Sequence, residues 1–148
     1  MATIHVTSER LINAPADKVY SYIADFRQHH ANFLPPAFSD FKVEQGGYGA
    51  GTIVTFTITA GGGKRNYRSL IAEPTPGRVL TESDTLSSAV TTFTVTPEGS
   101  ASRVRIETQW QGAGGVGGFF ERLFAPRVLS RLYADELERL ERYAREQG

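Results

Sequence analysis

The sequence predicts an α+β domain: an antiparallel sheet with its helices gathered on one face. Two observations carry this. Residues 38–111 hold run after run of alternating apolar and polar side chains, each run ended by glycine or proline, the pattern of strands joined by hairpins. After Gly112 the period changes, and apolar residues recur at spacings of three and four as far as Tyr143, the mark of an amphipathic helix. A sheet followed by one long helix buries the helix stripe on the sheet.

Thr3 to Asn13 opens the chain as a strand, with Ile4 and Val6 alternating and Leu11-Ile12 at its end. Asn13-Ala14-Pro15 is a helix start, a cap-type residue followed by proline near the first turn. Val19, Tyr22, Ile23 and Phe26 supply the apolar side of a short helix from Pro15 to Ala24. A second helical piece, Arg27 to Phe33, ends before Pro35-Pro36, because a residue preceding proline is pushed out of the α region.

From Phe38 the period is two. Phe41 and Val43 lie on a strand that closes at Gly46-Gly47-Tyr48-Gly49-Ala50-Gly51. Thr52 to Thr59 alternates Val54, Phe56 and Ile58 against threonines, and Gly61-Gly62-Gly63 turns the chain into Arg65 to Glu73. Pro74-Thr75-Pro76-Gly77 turns it again into Val79 to Asp84, and Ala89 to Thr96 follows. Glu98-Gly99-Ser100-Ala101 is a hairpin signal leading into Arg103 to Gln111. A turn centred between Gly99 and Ser100 sets Val95 opposite Val104 and Phe93 opposite Ile106, so both strands show their apolar side to one face.

The C-terminal stretch is not one stripe. At about 100° per residue, Val116, Phe120, Leu123 and Phe124 point one way, and Leu129, Leu132, Tyr133, Leu140 and Tyr143 point nearly the opposite way. Pro126 lies between the groups, and proline breaks or kinks a helix. The expectation is a break near Ala125-Pro126, with 119–124 forming a lid and 128–143 packing on the sheet. The alternative, an uninterrupted helix, leaves the Phe cluster exposed and points to a homodimer or a membrane contact.

Whole-chain numbers exclude several classes. The 148 residues suit a single domain, and 40% apolar with 22% charged content is ordinary for a globular protein. Lys plus Arg and Asp plus Glu both number 16, so no global field favours nucleic acid. No cysteine is present, which removes disulfides and thiolate chemistry. No signal core precedes the first strand and no apolar run is long enough to span a bilayer, so a cytoplasmic protein is expected.

Gly112-Ala113-Gly114-Gly115-Val116-Gly117 fits the dinucleotide pattern G-x-G-x-x-G literally. That motif needs a βαβ unit and a following parallel strand, and only the helix follows it, so it is read as a connector. His5, His29 and His30 have no spacing for a metal site; neither metal nor cofactor is expected. His29 and His30 are read as an exposed pair near a helix end. Glu82 and Asp84 share one strand face, and two carboxyls inside an apolar cup would make an acid–base couple. The favoured reading places them on the solvent side, with Val79, Thr81 and Ser83 inward; the hairpin at Thr75-Pro76, with Ala72 opposite Val79 or Ile71 opposite Leu80, accommodates both.

The opening strand, "INAPADKVYSYIADF" at Ile12 to Phe26, "GGYGAGT" at Gly46 to Thr52, "VTPEGSASRVRIETQW" at Val95 to Trp110 and the long C-terminal helix together resemble the SRPBCC superfamily. These are the START-like, birch-pollen-allergen-like helix-grip proteins, and the group nearest in pattern is polyketide cyclase/dehydrase and lipid transport. The resemblance implies a seven-stranded antiparallel sheet gripping the long helix, two short helices closing one end, and a deep apolar cavity between them. It implies a lipid, polyketide, steroid or quinone-like ligand, and carries over no catalytic set.

Binding of such a ligand is the first functional expectation. Its contacts are placed at Phe33, Phe56, Tyr67, Arg68 and Phe93, and at Trp110, Phe120, Phe124, Leu129 and Tyr133, because aromatic-lined voids with a few polar tips take ligands. A cyclase/dehydratase enzyme is the second, with Tyr67, Arg68, Glu82, Asp84, His29 or His30 as acid–base groups. A protein-interaction module is the third. A buried carboxyl beside a histidine or Tyr67 in the cavity favours the enzyme, and an all-apolar cavity favours simple binding.

Overall fold

The computed structural model describes residues 3–111 and 126–148. Its strands are β1 (Thr3–Ile12), β2 (Phe38–Gln45), β3 (Ile53–Ala60), β4 (Gly63–Thr75), β5 (Val79–Asp84), β6 (Val90–Glu98) and β7 (Ala101–Gln111). Between β1 and β2 lie helix α1 (Ala16–Ala24) and a single 3-10 turn (His30–Phe33); helix α2 (Pro126–Gln147) closes the chain. The seven strands form one sheet in the order β1-β7-β6-β5-β4-β3-β2, antiparallel at every pairing. This is the expected α+β architecture.

Local chemistry explains each junction. α1 starts as expected after Pro15, but Pro15 itself occupies the cap position in an extended conformation, with no side-chain cap from Asn13. Asp17 in the first turn offers a negative charge to the helix N-terminus instead. Asp25 ends the helix, and its Oδ1 accepts from the backbone N–H groups of Arg27 and Gln28, which starts the turn toward His30. The expected second helix is therefore shorter, four residues of 3-10.

The loop from Gly46 to Gly51 is held from both sides. Arg27 donates to the Gly46 carbonyl through Nε and Nη2 at 2.9 and 2.6 Å, and Glu73 Oε1 accepts from the Ala50 N–H at 2.8 Å. Gly49 has φ +64°, and a Cβ there would stand 2.2 Å from Glu73 Oε1. Only glycine satisfies both conditions.

The register at Glu98-Gly99-Ser100-Ala101 pairs Val95 with Val104 and Phe93 with Ile106, as the sequence predicts. All four are buried on the concave side of the sheet. The β4–β5 hairpin differs. An irregularity between Ala72 and Thr75 sets Ile71 opposite Glu82 and Ala72 opposite Thr81. Leu80 pairs with Phe93, and both are buried.

α2 lays Leu129, Tyr133, Leu137, Leu140 and Ala144 against the concave face, with Leu132 and Tyr143 at the margins. Arg10 of β1 fixes it through a bond to Glu141 Oε1 at 2.7 Å. Tyr143 meets Nδ1 of His29 at 2.5 Å and receives a bond from Asn32. The described part of this helix runs from Pro126 to Gln147. The expected break, the lid over 119–124 and the glycine-rich connector lie outside the described residues. No helix among the described residues is long and apolar enough to cross a membrane.

Candidate functional site

The concave face of β3–β7 and the stripe of α2 do not meet everywhere. Between them is a narrow cavity, with about 40 Å³ of space open to the centre of a water molecule. Its walls are largely aromatic and aliphatic. Phe56 stacks on Tyr67 at 5.1 Å between ring centroids, and Phe38 and Phe41 extend the stack. Phe93 and Leu129 line it from β6 and α2.

One end is polar. His30, Glu82 and Glu136 reach the cavity from the 3-10 turn, β5 and α2. His30 is 3% exposed and stacked on Phe26. Its Nδ1 lies 2.6 Å from the Ile23 carbonyl, which can only accept, so Nδ1 carries the proton and Nε2 presents a lone pair. Nε2 stands 3.7 Å from Glu82 Oε2, too far for a hydrogen bond. Burial holds the imidazole neutral, its pKa pushed down to about 4, and pushes Glu82 up to about 8. The two therefore face each other as neutral base and neutral acid rather than as an ion pair.

Glu136 is 2% exposed in the middle of the α2 stripe. Burial, and after it the neighbouring Glu82 charge, raise its pKa well above the usual carboxylate range. Neither Glu82 nor Glu136 has a hydrogen-bond partner among the described residues. Tyr133, one turn earlier, bonds to the Thr108 hydroxyl, which sits 2.7 Å from that of Thr91. Burial raises the Tyr133 pKa, so its hydroxyl stays protonated.

Asp84, two residues from Glu82, is surrounded by donors. Its Oδ1 accepts from the backbone N–H groups of Arg68 and Leu86, and its Oδ2 accepts from Ser87 Oγ at 2.7 Å. Arg65 Nη2 lies 3.6 Å away and its guanidinium sits 5.5 Å over the Tyr67 ring. Tyr67 is likewise raised in pKa by burial.

Several sequence expectations are corrected. Glu82 and Asp84 point into the protein, not to solvent. They share a face with Leu80, and burying Leu80 against Phe93 carries both carboxyls inward. The His29–His30 pair is not exposed: His30 lines the cavity and His29 is half-buried against Tyr22 and Tyr143. Arg68 lies on the opposite face of β4 from Tyr67, paired with Glu44 Oε2 at 2.9 Å on the surface.

Of the remaining expected contacts, Phe56, Tyr67, Phe93, Leu129 and Tyr133 line the cavity. Phe33 and Trp110 are buried but are not among its lining residues. Phe120 and Phe124 lie outside the described residues. Glu136 is the residue the sequence expectations missed. Its signal was present: it stands three after Tyr133 and four before Leu140, inside an apolar stripe. Among the described residues, no group of three or more His, Asp or Glu is arranged to hold a metal ion.

A family model for polyketide cyclase/dehydrase and lipid transport matches residues 3–145. The chain belongs to this family. Among solved structures it is similar to the KanY protein, at 35% identity over 98% of this chain and 99% of that one, with a TM-score of 0.85. An aromatase/cyclase, ZhuI of Streptomyces sp. R1128, is similar in fold at 17% identity, covering 99% and 96%, with a TM-score of 0.77. Norcoclaurine synthase of Thalictrum flavum, solved with dopamine and hydroxybenzaldehyde, shares the fold at 18% identity, covering 99% and 89%, with a TM-score of 0.70. No curated protein matches the sequence.

Proposed function

We propose that the protein binds a small, largely apolar molecule with one polar end in the cavity between the sheet and α2. The carrying observation is the cavity's division of labour: stacked aromatic walls, and Glu136 buried among them with no hydrogen-bond partner among the described residues. A core that only needed filling would hold an apolar residue at position 136, because an unpartnered buried carboxyl costs stability. Membership of a polyketide cyclase/dehydrase and lipid-transport family supports the same reading.

Native mass spectrometry of the protein from its own host tests it. A bound small molecule is expected, and Ala89→Leu, which fills the cavity wall, is expected to lose it while keeping the fold. An empty wild-type protein that also shows no thermal shift across a lipid and aromatic polyketide panel contradicts the reading.

A second reading rests on His30 and Glu82. A lone-pair base and a protonated acid, 3.7 Å apart beside an apolar cavity, form an acid–base pair of the kind a dehydratase or cyclase uses. If it acts so, His30→Gln abolishes turnover without abolishing binding. Equal turnover in that variant removes the enzyme reading and leaves the binding one.

A further inference from the structure

Among the described residues, the polar end of the cavity presents a lone pair, two carboxyls and hydroxyls, and no positive charge. Its groups come from five elements. The 3-10 turn supplies Nε2 of His30, a lone pair whose direction is fixed because Nδ1 is committed to the Ile23 carbonyl at 2.6 Å. β5 supplies Glu82, at 3.7 Å from that nitrogen. α2 supplies Glu136, which is 2% exposed, together with the Tyr133 hydroxyl. β6 and β7 add only the hydroxyls of Thr91 and Thr108. The positive charge of β4, on Arg65, is turned to Asp84 and the Tyr67 ring. No lysine lines the cavity among the described residues, and the one arginine near it is matched by Asp84. Among the described residues, Glu82 and Glu136 therefore have no Lys or Arg counter-ion.

Three ligand chemistries meet this end differently. An anion can accept from a protonated carboxyl, but it faces the His30 lone pair and finds no cation among the described residues to offset the cost of burying its charge. A carbonyl takes one hydrogen bond from one protonated carboxyl and leaves the second carboxyl and the histidine lone pair unused. An ammonium group has three N–H donors, and three groups that can accept line the same cavity: His30 Nε2, Glu82 and Glu136. Aromatic faces at Phe41, Phe93 and Tyr67 border the same space and attract a cation by their quadrupoles.

We propose that the ligand carries a basic nitrogen, seated as an ammonium between Glu82, Glu136 and Nε2 of His30. This rests on the reading that the cavity takes a ligand and names that ligand's class: an apolar or aromatic amine. The proton balance is explicit. The free protein holds Glu82 protonated, the amine arrives already protonated, and their ion pair forms only when the carboxyl gives its proton to the buffer. Binding near neutral pH therefore releases about one proton per ligand.

Calorimetry with two matched probes tests this. Tryptamine and its neutral isostere tryptophol share an indole body and differ at the chain end. At pH 7, tryptamine is expected to bind at least about tenfold tighter than tryptophol. Its apparent heat is expected to vary with buffer ionisation enthalpy as release of about one proton requires, while tryptophol releases none. In the Glu82→Gln, Glu136→Gln double variant, the preference is expected to fall below about twofold with tryptophol affinity kept, which also shows that the variant is folded. Tryptophol binding as tightly as tryptamine, tryptamine binding without proton release, or a preference that survives the double substitution overturns the amine assignment and leaves ligand binding standing. Failure of both probes to bind overturns the amine assignment together with the binding reading for ligands of this size.

Discussion

Glu82 and Asp84 stand on the same strand and the same face, two residues apart, in opposite surroundings. Asp84 sits where β4, β5 and the β5–β6 turn converge, and two backbone N–H groups, the Ser87 hydroxyl and Arg65 are all directed at it. It organises the turn, and the fold depends on it. Glu82 sits where the sheet faces Glu136 and the lone pair of His30, with no hydrogen bond and no Lys or Arg beside it among the described residues. It makes none of the turn-holding bonds that Asp84 makes. The contrast teaches how to separate structure from function in a buried polar group: a satisfied carboxyl holds the fold, and an unsatisfied one is kept at a cost to stability. The following substitutions test that division, in order of expected effect.

Asp84→Ala strands a hydroxyl, two N–H groups and a guanidinium at once. It is expected to lower stability by about 3–5 kcal/mol, read by urea unfolding. A loss under about 1 kcal/mol would erase the distinction between the two carboxyls.

Glu136→Leu is expected to act in the other direction. It removes an unpartnered buried acid and adds apolar surface, so stability should rise by roughly 1–3 kcal/mol at pH 8 while ligand binding falls. A destabilised variant would mean that Glu136 already serves the fold.

The third test is the pH dependence of the same distinction. Glu82 has its folded pKa raised to about 8. The unfolded chain gives up this proton first, so the group costs nothing in acid and costs progressively more as pH rises toward 8. His30, lowered to about 4, stabilises the folded state most above the usual imidazole pKa, and that contribution fades as pH falls toward 4. The stability difference between Glu82→Gln and wild type should therefore grow with pH by up to about 1.4 kcal/mol per unit between the usual glutamate pKa and 8, then level off. A flat difference would place Glu82 in contact with water or a cation.

Arg68→Ala is the smallest. The residue neighbours the site in sequence but pairs with Glu44 on the outer face. Exposed pairs of this kind contribute about 0–1 kcal/mol, and ligand binding should not change. A marked loss of binding would bring Arg68 back to the cavity.

The strand runs, the β6–β7 register and the α2 stripe were legible because each is written in periodic apolar residues over many positions. The orientation of β5 was not. Its short run, Val79 to Asp84, carries no strong alternation, and its turn tolerates two registers. Leu80 decided the face by pairing with Phe93 across the sheet, a contact that no local pattern contains. Arg68 was misplaced for the same reason: Tyr67 and Arg68 are adjacent, so only the pleat separates wall from surface. Glu136 was legible in principle, as a charge in the centre of an apolar stripe. His30 was not, because its burial follows from the 3-10 turn that Asp25 starts.

The state of Glu82 in the ligand-free protein is the direct test of the account. Carbon-13 labelling of the glutamate side chains, with Glu82→Gln to assign the signal, allows its carboxyl to be titrated by NMR. Glu82 is expected to remain protonated through neutral pH and to titrate near 8. A carboxyl that ionises near the ordinary 4.5 would contradict it, and with it the view that this end of the cavity waits, uncharged and unpartnered, for a ligand.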